Sequence, residues 1–261
     1  FPLKRPKKVK EFIHVWHSIS DISYYKKGSL DSYDTILTVG DFQNKSIIEI
    51  EKLRKLKSKK LIPVGLPYLD LFYNKLKDYE NINEYILIAS SWGDKGLLKK
   101  YGYKILEILK NEHIIIRPHP QSFVSEKEFM SNFKVACFKY PNVLWDESSD
   151  PLESFSKSRL LISDTSSIRY DFSFLTNKPV ITIKIPSKDL KDYEWSNIST
   201  KWDDESERFI GTVINELELN ELQNIFSKSL KILKNNDLRD KTICSIGNSS
   251  KLIVNYLSLN N

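Results

Sequence analysis

Four histidines occur in the 261 residues, and two of them stand where strand-like runs end. His17 closes "EFIHVWH" (11–17) and is followed by Ser18. His119 lies in "IIIRPHP", where prolines on either side fix the backbone and stop a helix or strand from continuing. An imidazole near neutrality can take or give a proton at physiological pH. Arg117, two residues earlier, offers a planar charged fork suited to phosphate. A third run, "LISDTSSIRYDF" (161–172), leaves its strand at Ser163 and enters a helix around Ser166. Asp164, Thr165, Ser166 and Ser167 put hydroxyls and free N–H groups at that helix start. Such a terminus carries roughly half a positive charge and attracts phosphate.

Each feature also has an ordinary reading. On a strand, His14 and His17 point to opposite faces, which argues against a two-histidine metal pair. Phe12, His14 and Trp16 share one face, so His14 reads as a partly buried residue and His17 as the candidate general base. The proline-flanked turn can be purely structural, and Ser/Thr at a helix start is an ordinary cap. Neither GxxxxGK[ST] nor GxGxxG occurs, and no ligand set has metal-binding spacing. The combination of three such strand exits is more informative than any one.

The elements that must position these residues alternate. Strands are expected at 11–17, 34–40, within "KKLIPVGLP" (59–67), and at 85–91, 114–116, 142–146, 159–164 and 179–185, with helical patterns between most of them. A helix is expected near 216–235, with Leu222, Ile225, Phe226, Leu230 and Leu233 on one side, and another at 248–258. This alternation predicts a doubly wound α/β fold, in which ligands bind beyond the carboxyl ends of the strands. "NKLKDYENINE" (74–84) reads as a linker. The chain is 40% hydrophobic and 28% charged, as in soluble globular proteins, and its core needs no disulfides. Cys137 and Cys244 form no CxxC motif and fit a reducing compartment.

The net charge of +6 is concentrated at residues 4–10 and 51–60. The second stretch reads as a solvated helix face with Ile47, Ile50, Leu53 and Leu56 as its apolar stripe, or as a surface for an anionic polymer or the inner membrane leaflet. No RGG, zinc-finger or RNP signature points to nucleic acid. No apolar run approaches the ~20 residues of a membrane span, and no signal peptide is visible. The chain opens at Phe1 rather than Met, which suggests upstream sequence.

"HVWHS", "VGLPYLDLF", "ILIASSWG", "IIIRPHP", "LISDTSSIRYDFSFLTNKPVI" and "GNSS" occur in that order. This series resembles the CDP-glycerol glycerophosphotransferase family of teichoic acid polymerases and primases. The corresponding family segments are WHG, VGYPRND, ILYAPTWR, RPHP, TDYSSxxFDFxxxxKPxI and DGxAS. The resemblance spans roughly residues 12–256. It implies a GT-B-like α/β fold, two Rossmann-like lobes with the active site between them and the N-terminal lobe truncated. The expected division is 1–78 as the remnant of the acceptor-side lobe, 79–247 as the donor-binding lobe, and 248–261 as a helix crossing back.

By the same resemblance, His17 matches the proposed base and His119 the histidine acting on the donor phosphates. Thr165, Ser166 and Ser167 match the helix start that holds the pyrophosphate, beside Asp164 and Arg117. Asp171 matches the acidic residue of FDF, and Ser249 and Ser250 a small-residue loop near the donor. The sequence departs from the pattern at Ser18 in place of Gly, Pro67-Tyr68-Leu69-Asp70 in place of Pro-Arg-Asn-Asp, Thr165 in place of an aromatic and Ile246 in place of an acid.

The function expected is transfer of glycerol phosphate, or a related polyol phosphate, from a CDP-activated donor to an anionic or lipid-linked glycan acceptor. It needs no cofactor beyond that substrate, and metal involvement is left open. The expected location is the cytoplasmic face of the bacterial plasma membrane, held peripherally, in teichoic acid or capsule biosynthesis. Alternatives are a GT-B nucleotide-sugar glycosyltransferase of capsule or lipopolysaccharide synthesis, a non-catalytic nucleotide-binding module, and a nucleotide-sugar epimerase.

Overall fold

The computed structural model describes residues 4–186, 190–231 and 237–259. The chain divides into two compact units. The first contains residues 1–74, 188–206 and 236–261; the second contains 75–187 and 207–235. This differs from the sequence division, which assigned 188–206 and 236–247 to the donor lobe.

In chain order the first unit supplies β1 (Ile13–Val15), β2 (Thr35–Thr38), α1 (Asp41–Arg54), β3 (Lys60–Pro63) and α2 (Pro67–Lys75). The second supplies β4 (Tyr85–Ala89), α3 (Leu97–Ile108), β5 (Ile114–Arg117), α4 (Ser122–Ser125), α5 (Lys127–Cys137), β6 (Val143–Trp145), α6 (Leu152–Lys157), β7 (Ser158–Ser163), α7 (Ile168–Thr176) and β8 (Val180–Lys184). The chain passes from the first unit to the second within α8 (Trp202–Ile210) and adds β9 (Gly211–Asn215) and α9 (Leu222–Ser229). It ends in the first unit with α10 (Asp237–Thr242) and α11 (Ser249–Leu259).

The second unit is a six-stranded parallel sheet in the order β6-β5-β4-β7-β8-β9. Its strands are apolar on both faces because helices cover both. Ile116, Ile88, Ile162 and Ile181 stand in register across four strands and pack in one core with Leu97, Ile105, Phe133 and Phe226. The neighbouring row, Ile115, Leu87, Leu161 and Val180, is equally buried and faces the other way.

The first unit is a three-stranded parallel sheet, β1-β2-β3. Leu37, Val64 and Tyr256 form a small core with Leu252 and Ile253, so α11 packs on this sheet. The loop before α11 is clamped as well. Asp70 accepts from Gly247 N (2.6 Å) and Ser249 N (2.7 Å), which ties "VGLPYLD" to "GNSS".

Several expectations need correction. The supposed linker begins inside structure, since α2 runs to Lys75 and a 3-10 turn follows at Leu76–Asp78. Leu53 is 58% exposed and leaves the stripe of Ile47 and Ile50, both buried. In the basic stretch, Arg54 pairs with Asp31 and Glu194, and Lys59 lies 3.6 Å from Glu51, so part of its charge serves the fold. The helix expected at 216–235 is a 3-10 segment (Glu216–Glu221) followed by α9; Leu233 lies outside the described residues. Elements α2, α4, α5, α8, β9 and α10 have no counterpart in the sequence expectations.

Gly65 has φ +84°, and a Cβ there would lie 2.3 Å from Cys244 O and 2.5 Å from Ser249 Oγ. Gly65→Ala is expected to lower the unfolding free energy by about 2 kcal/mol or more, measured by urea denaturation.

Candidate active site

In the six-stranded sheet the chain moves outward from β4 through β5 to β6, then returns to β7 on β4's other side. The direction reverses between β4 and β7. The loops after these two strands lie at the carboxyl ends, where a doubly wound sheet usually places its ligand crevice. Residues 90–96 and 164–167 are those two loops, and His119 follows neighbouring β5.

One carboxylate joins the two loops. Asp164 is 1% exposed. It accepts from Ser91 N (2.9 and 3.1 Å), Ser91 Oγ (2.7 Å), Leu97 N (2.9 Å) and Ser166 N (3.0 Å). Asp164 was expected to bind substrate; its oxygens are instead committed to protein donors. It therefore acts as the brace of the crevice. Arg169, fully buried, steadies the same loop by donating from Nε to Ser166 O (3.0 Å). Its Nη1 donates to Thr182 Oγ1 and Glu207 Oε2, both at 3.2 Å.

With the loop held this way, the hydroxyls of Thr165, Ser166 and Ser167 remain half-buried, with no hydrogen-bond partner among the described residues. Ser167 begins α7 without a side-chain cap bond. Neutral donors at a helix start suit a phosphate. Asp171 lies half-buried in the first turn of the same helix.

His119 is half-buried on its turn. Its Nδ1 accepts from Gln121 N (3.1 Å), so in the neutral ring Nε2 carries the proton. Burial lowers its pKa, and the negative charge of Asp164 partly offsets that. A neutral imidazole presenting an N–H donor results. Trp92, half-exposed, has its ring 6.5 Å from the His119 ring, centroid to centroid. The next residue, Gly93, donates its N–H to Glu126 Oε2 (2.9 Å), while Glu126 Oε1 is buried without a partner.

Arg117 was expected to face phosphate and does not. Its Nη1 pairs with Asp146 at 2.5 Å and reaches Ser148 Oγ at 3.0 Å; Nη2 takes Ser148 O at 2.8 Å. The fork is filled by the loop after β6. Among the described residues no cluster of three or more His, Cys, Asp or Glu could hold a metal ion.

His17, Ser249 and Ser250 belong to the first unit. His17 is exposed, two residues past the end of β1, between buried Trp16 and Ser18. His14 packs edge-on against Trp16 (4.7 Å) and Tyr33 (5.0 Å), and Phe12 stacks on Tyr33 (4.4 Å), so the shared face is an aromatic cluster. His14 Nε2 is buried and unpartnered. Ser249, expected near the donor, is fully buried with its N–H bound to Asp70; Ser250 is exposed.

The residues that sequence reasoning missed are Ser91, Trp92, Glu126, Arg169 and Asp70. Two of them lie in "ILIASSWG", whose position just past a buried strand was the available signal.

A doubly wound parallel sheet in one unit and a smaller parallel sheet in the other make an α/β fold of the GT-B class. The wall teichoic acid polymerase TagF shares it, with a TM-score of 0.56 and 16% identity over 99% of this chain and 71% of that one. A TagF histidine-to-asparagine variant soaked with CDPG gives 0.59, 16%, 99% and 70%. The UDP-GlcNAc 2-epimerase of Methanocaldococcus jannaschii, in complex with UDP-GlcNAc and UDP, gives 0.61 and 16% over 89% of this chain and 63% of its own. No protein-family model matches the sequence, and no curated protein matches it significantly.

Two titrations follow. By NMR, His119 is expected to titrate below the ordinary 6.5, and lower still in Asp164→Asn, which removes the charge that raises it. For His14, burial, with help from His17, pulls the pKa from 6.5 to about 4. Folding then excludes a proton that the unfolded chain binds, so stability is lost as pH falls from 6.5 toward 4. His14→Phe should flatten that segment of the stability–pH curve in urea titrations.

Proposed function

We propose that this chain transfers a glycerol-phosphate or related polyol-phosphate unit from a CDP-activated donor to a cell-surface polymer acceptor. The observation that carries this reading is the braced start of α7, with three unpartnered hydroxyls, and the N–H of a neutral His119 that feels the charge of the same Asp164. It lies at the reversal point of a fold shared with TagF along 99% of the chain. The CDPG-soaked TagF structures support a CDP-linked donor.

In the proposed reaction His17 takes the proton of an acceptor hydroxyl. The acceptor oxygen forms a bond to the β-phosphorus in line. The bond from that phosphorus to the bridging oxygen breaks, and CMP leaves with the electron pair. Negative charge grows on the bridging and non-bridging oxygens, where His119 Nε2–H and the donors at 165–167 stabilise it. Donors fixed before the reaction need no reorganisation as charge develops. Exposed Lys4, Lys7, Lys8, Lys52, Lys55 and Lys57 suit an anionic acceptor or the inner leaflet, an attraction that salt weakens. No helix among the described residues is long and apolar enough to cross a membrane.

The likeness to UDP-GlcNAc 2-epimerase favours a second reading, conversion of a nucleotide sugar without an acceptor. The protein is to be incubated with CDP-glycerol or with a panel of nucleotide sugars, each with and without a polyol-phosphate acceptor. Acceptor-dependent CMP release from CDP-glycerol alone is expected, with turnover reduced about 100-fold or more in His17→Ala and His119→Ala. Acceptor-independent conversion of a nucleotide sugar would replace the first reading by the second.

A further inference from the structure

Trp92 is half in water, although an indole is among the side chains that gain most from burial. It is nonetheless held in place. The residue before it donates its N–H and hydroxyl to Asp164, and the residue after it donates its N–H to Glu126. Both carboxylates are more than nine-tenths buried. Gly93 takes φ +89°, which lets the loop turn there, and a Cβ built on it meets nothing within 4 Å. The backbone on both sides of the indole is thus fixed at the end of β4, and the half-exposed ring lies 6.5 Å from the His119 ring, centroid to centroid. The same Asp164 that holds the phosphate-type donors of 165–167 holds this loop.

We infer that Trp92 is the platform on which the pyrimidine ring of the nucleotide donor stacks. A nucleotide is charged at one end and flat at the other. The start of α7 suits the charged end; a half-exposed aromatic ring on a braced loop suits the flat one, because every base presents a π-face. The platform gives affinity for the base with little discrimination among bases, since stacking tolerates sequence. This inference rests on the nucleotide-donor reading above and adds the residue that would hold the base.

The test is calorimetric binding of CMP, ribose 5-phosphate and inorganic pyrophosphate to the full chain and to Trp92→Ala and Trp92→Phe. The wild-type protein is also followed by tryptophan fluorescence. CMP should quench the fluorescence, and Trp92→Ala should weaken CMP by about ten-fold or more. Ribose 5-phosphate and pyrophosphate should stay within about two-fold, and Trp92→Phe should keep most of the CMP affinity. Equal CMP affinity in wild type and Trp92→Ala would overturn the platform and leave the donor reading standing. Equal loss of CMP and pyrophosphate would also overturn it, by reducing Trp92 to a support of the loop. A wild-type protein that binds none of the three probes would remove the donor reading, and the platform with it.

Discussion

The second unit's crevice depends on the Asp164 carboxylate. A charge at this depth is tolerated only when hydrogen bonds replace its lost hydration. Three backbone N–H groups and one hydroxyl do so, drawn from both loops of the reversal. Each loop would otherwise bring its N–H groups into a partly closed space without partners. The carboxylate and the loops therefore satisfy one another, and the geometry of the crevice is fixed without a ligand. The same charge acts on His119 against the effect of burial.

This brace sorts the polar residues of the crevice into those committed to the fold and those left available. Arg117 and Arg169 are the two arginines nearest the crevice in sequence. The first is bound to Asp146 and Ser148, the second to Ser166, Thr182 and Glu207. Glu207 is also paired with Lys184 (2.9 Å), and Asp146 also accepts from Ser148 N (2.8 Å) and Ser148 Oγ (2.6 Å), so each arginine sits in a network and not in a lone pair. The hydroxyls of 165–167 and the His119 Nε2–H are among the groups not so committed, and they are neutral. A diphosphate bound by neutral donors and a helix terminus is held less tightly than one clamped by guanidinium forks.

The sheet was legible in the sequence because its cause is local. Runs such as "YILIA" and "IIIR" are apolar at every position, the pattern of strands covered on both faces, and the proline turn after the second marked a strand exit. The roles of individual side chains were less legible because their partners are distant. Asp164 meets Ser91, 73 residues away, and Arg117 meets Asp146, 29 away. Alternation on a strand gives the face of Arg117 but not the loop waiting there. Element α5 lay in a stretch, 127–137, whose apolar Phe129, Met130 and Phe133 give a helical spacing that was passed over after the proline turn. Masking by the Lys-rich composition explains Leu53, placed on the apolar stripe by spacing alone although α1 turns it to solvent.

The first unit makes the complementary point. Its sheet has three short strands, so little of its cohesion can come from the sheet interior. Close backbone contact supplies more. Gly40 and Gly65 admit the carbonyls of Thr242 and Cys244 where any side chain would collide. Asp70 then caps the incoming turn with two charge-assisted bonds. "VGLPYLD" and "GNSS" lie almost 180 residues apart, yet they form one joint, in which the glycine provides room and the aspartate provides donors with an acceptor. The buried Ser249 hydroxyl belongs to that joint. The joint thus accounts for Gly65, Asp70, Gly247 and Ser249, whereas the hydroxyls after β7 have no hydrogen-bond partner among the described residues. That contrast is the physical reason to look for the ligand at 165–167 before buried Ser249.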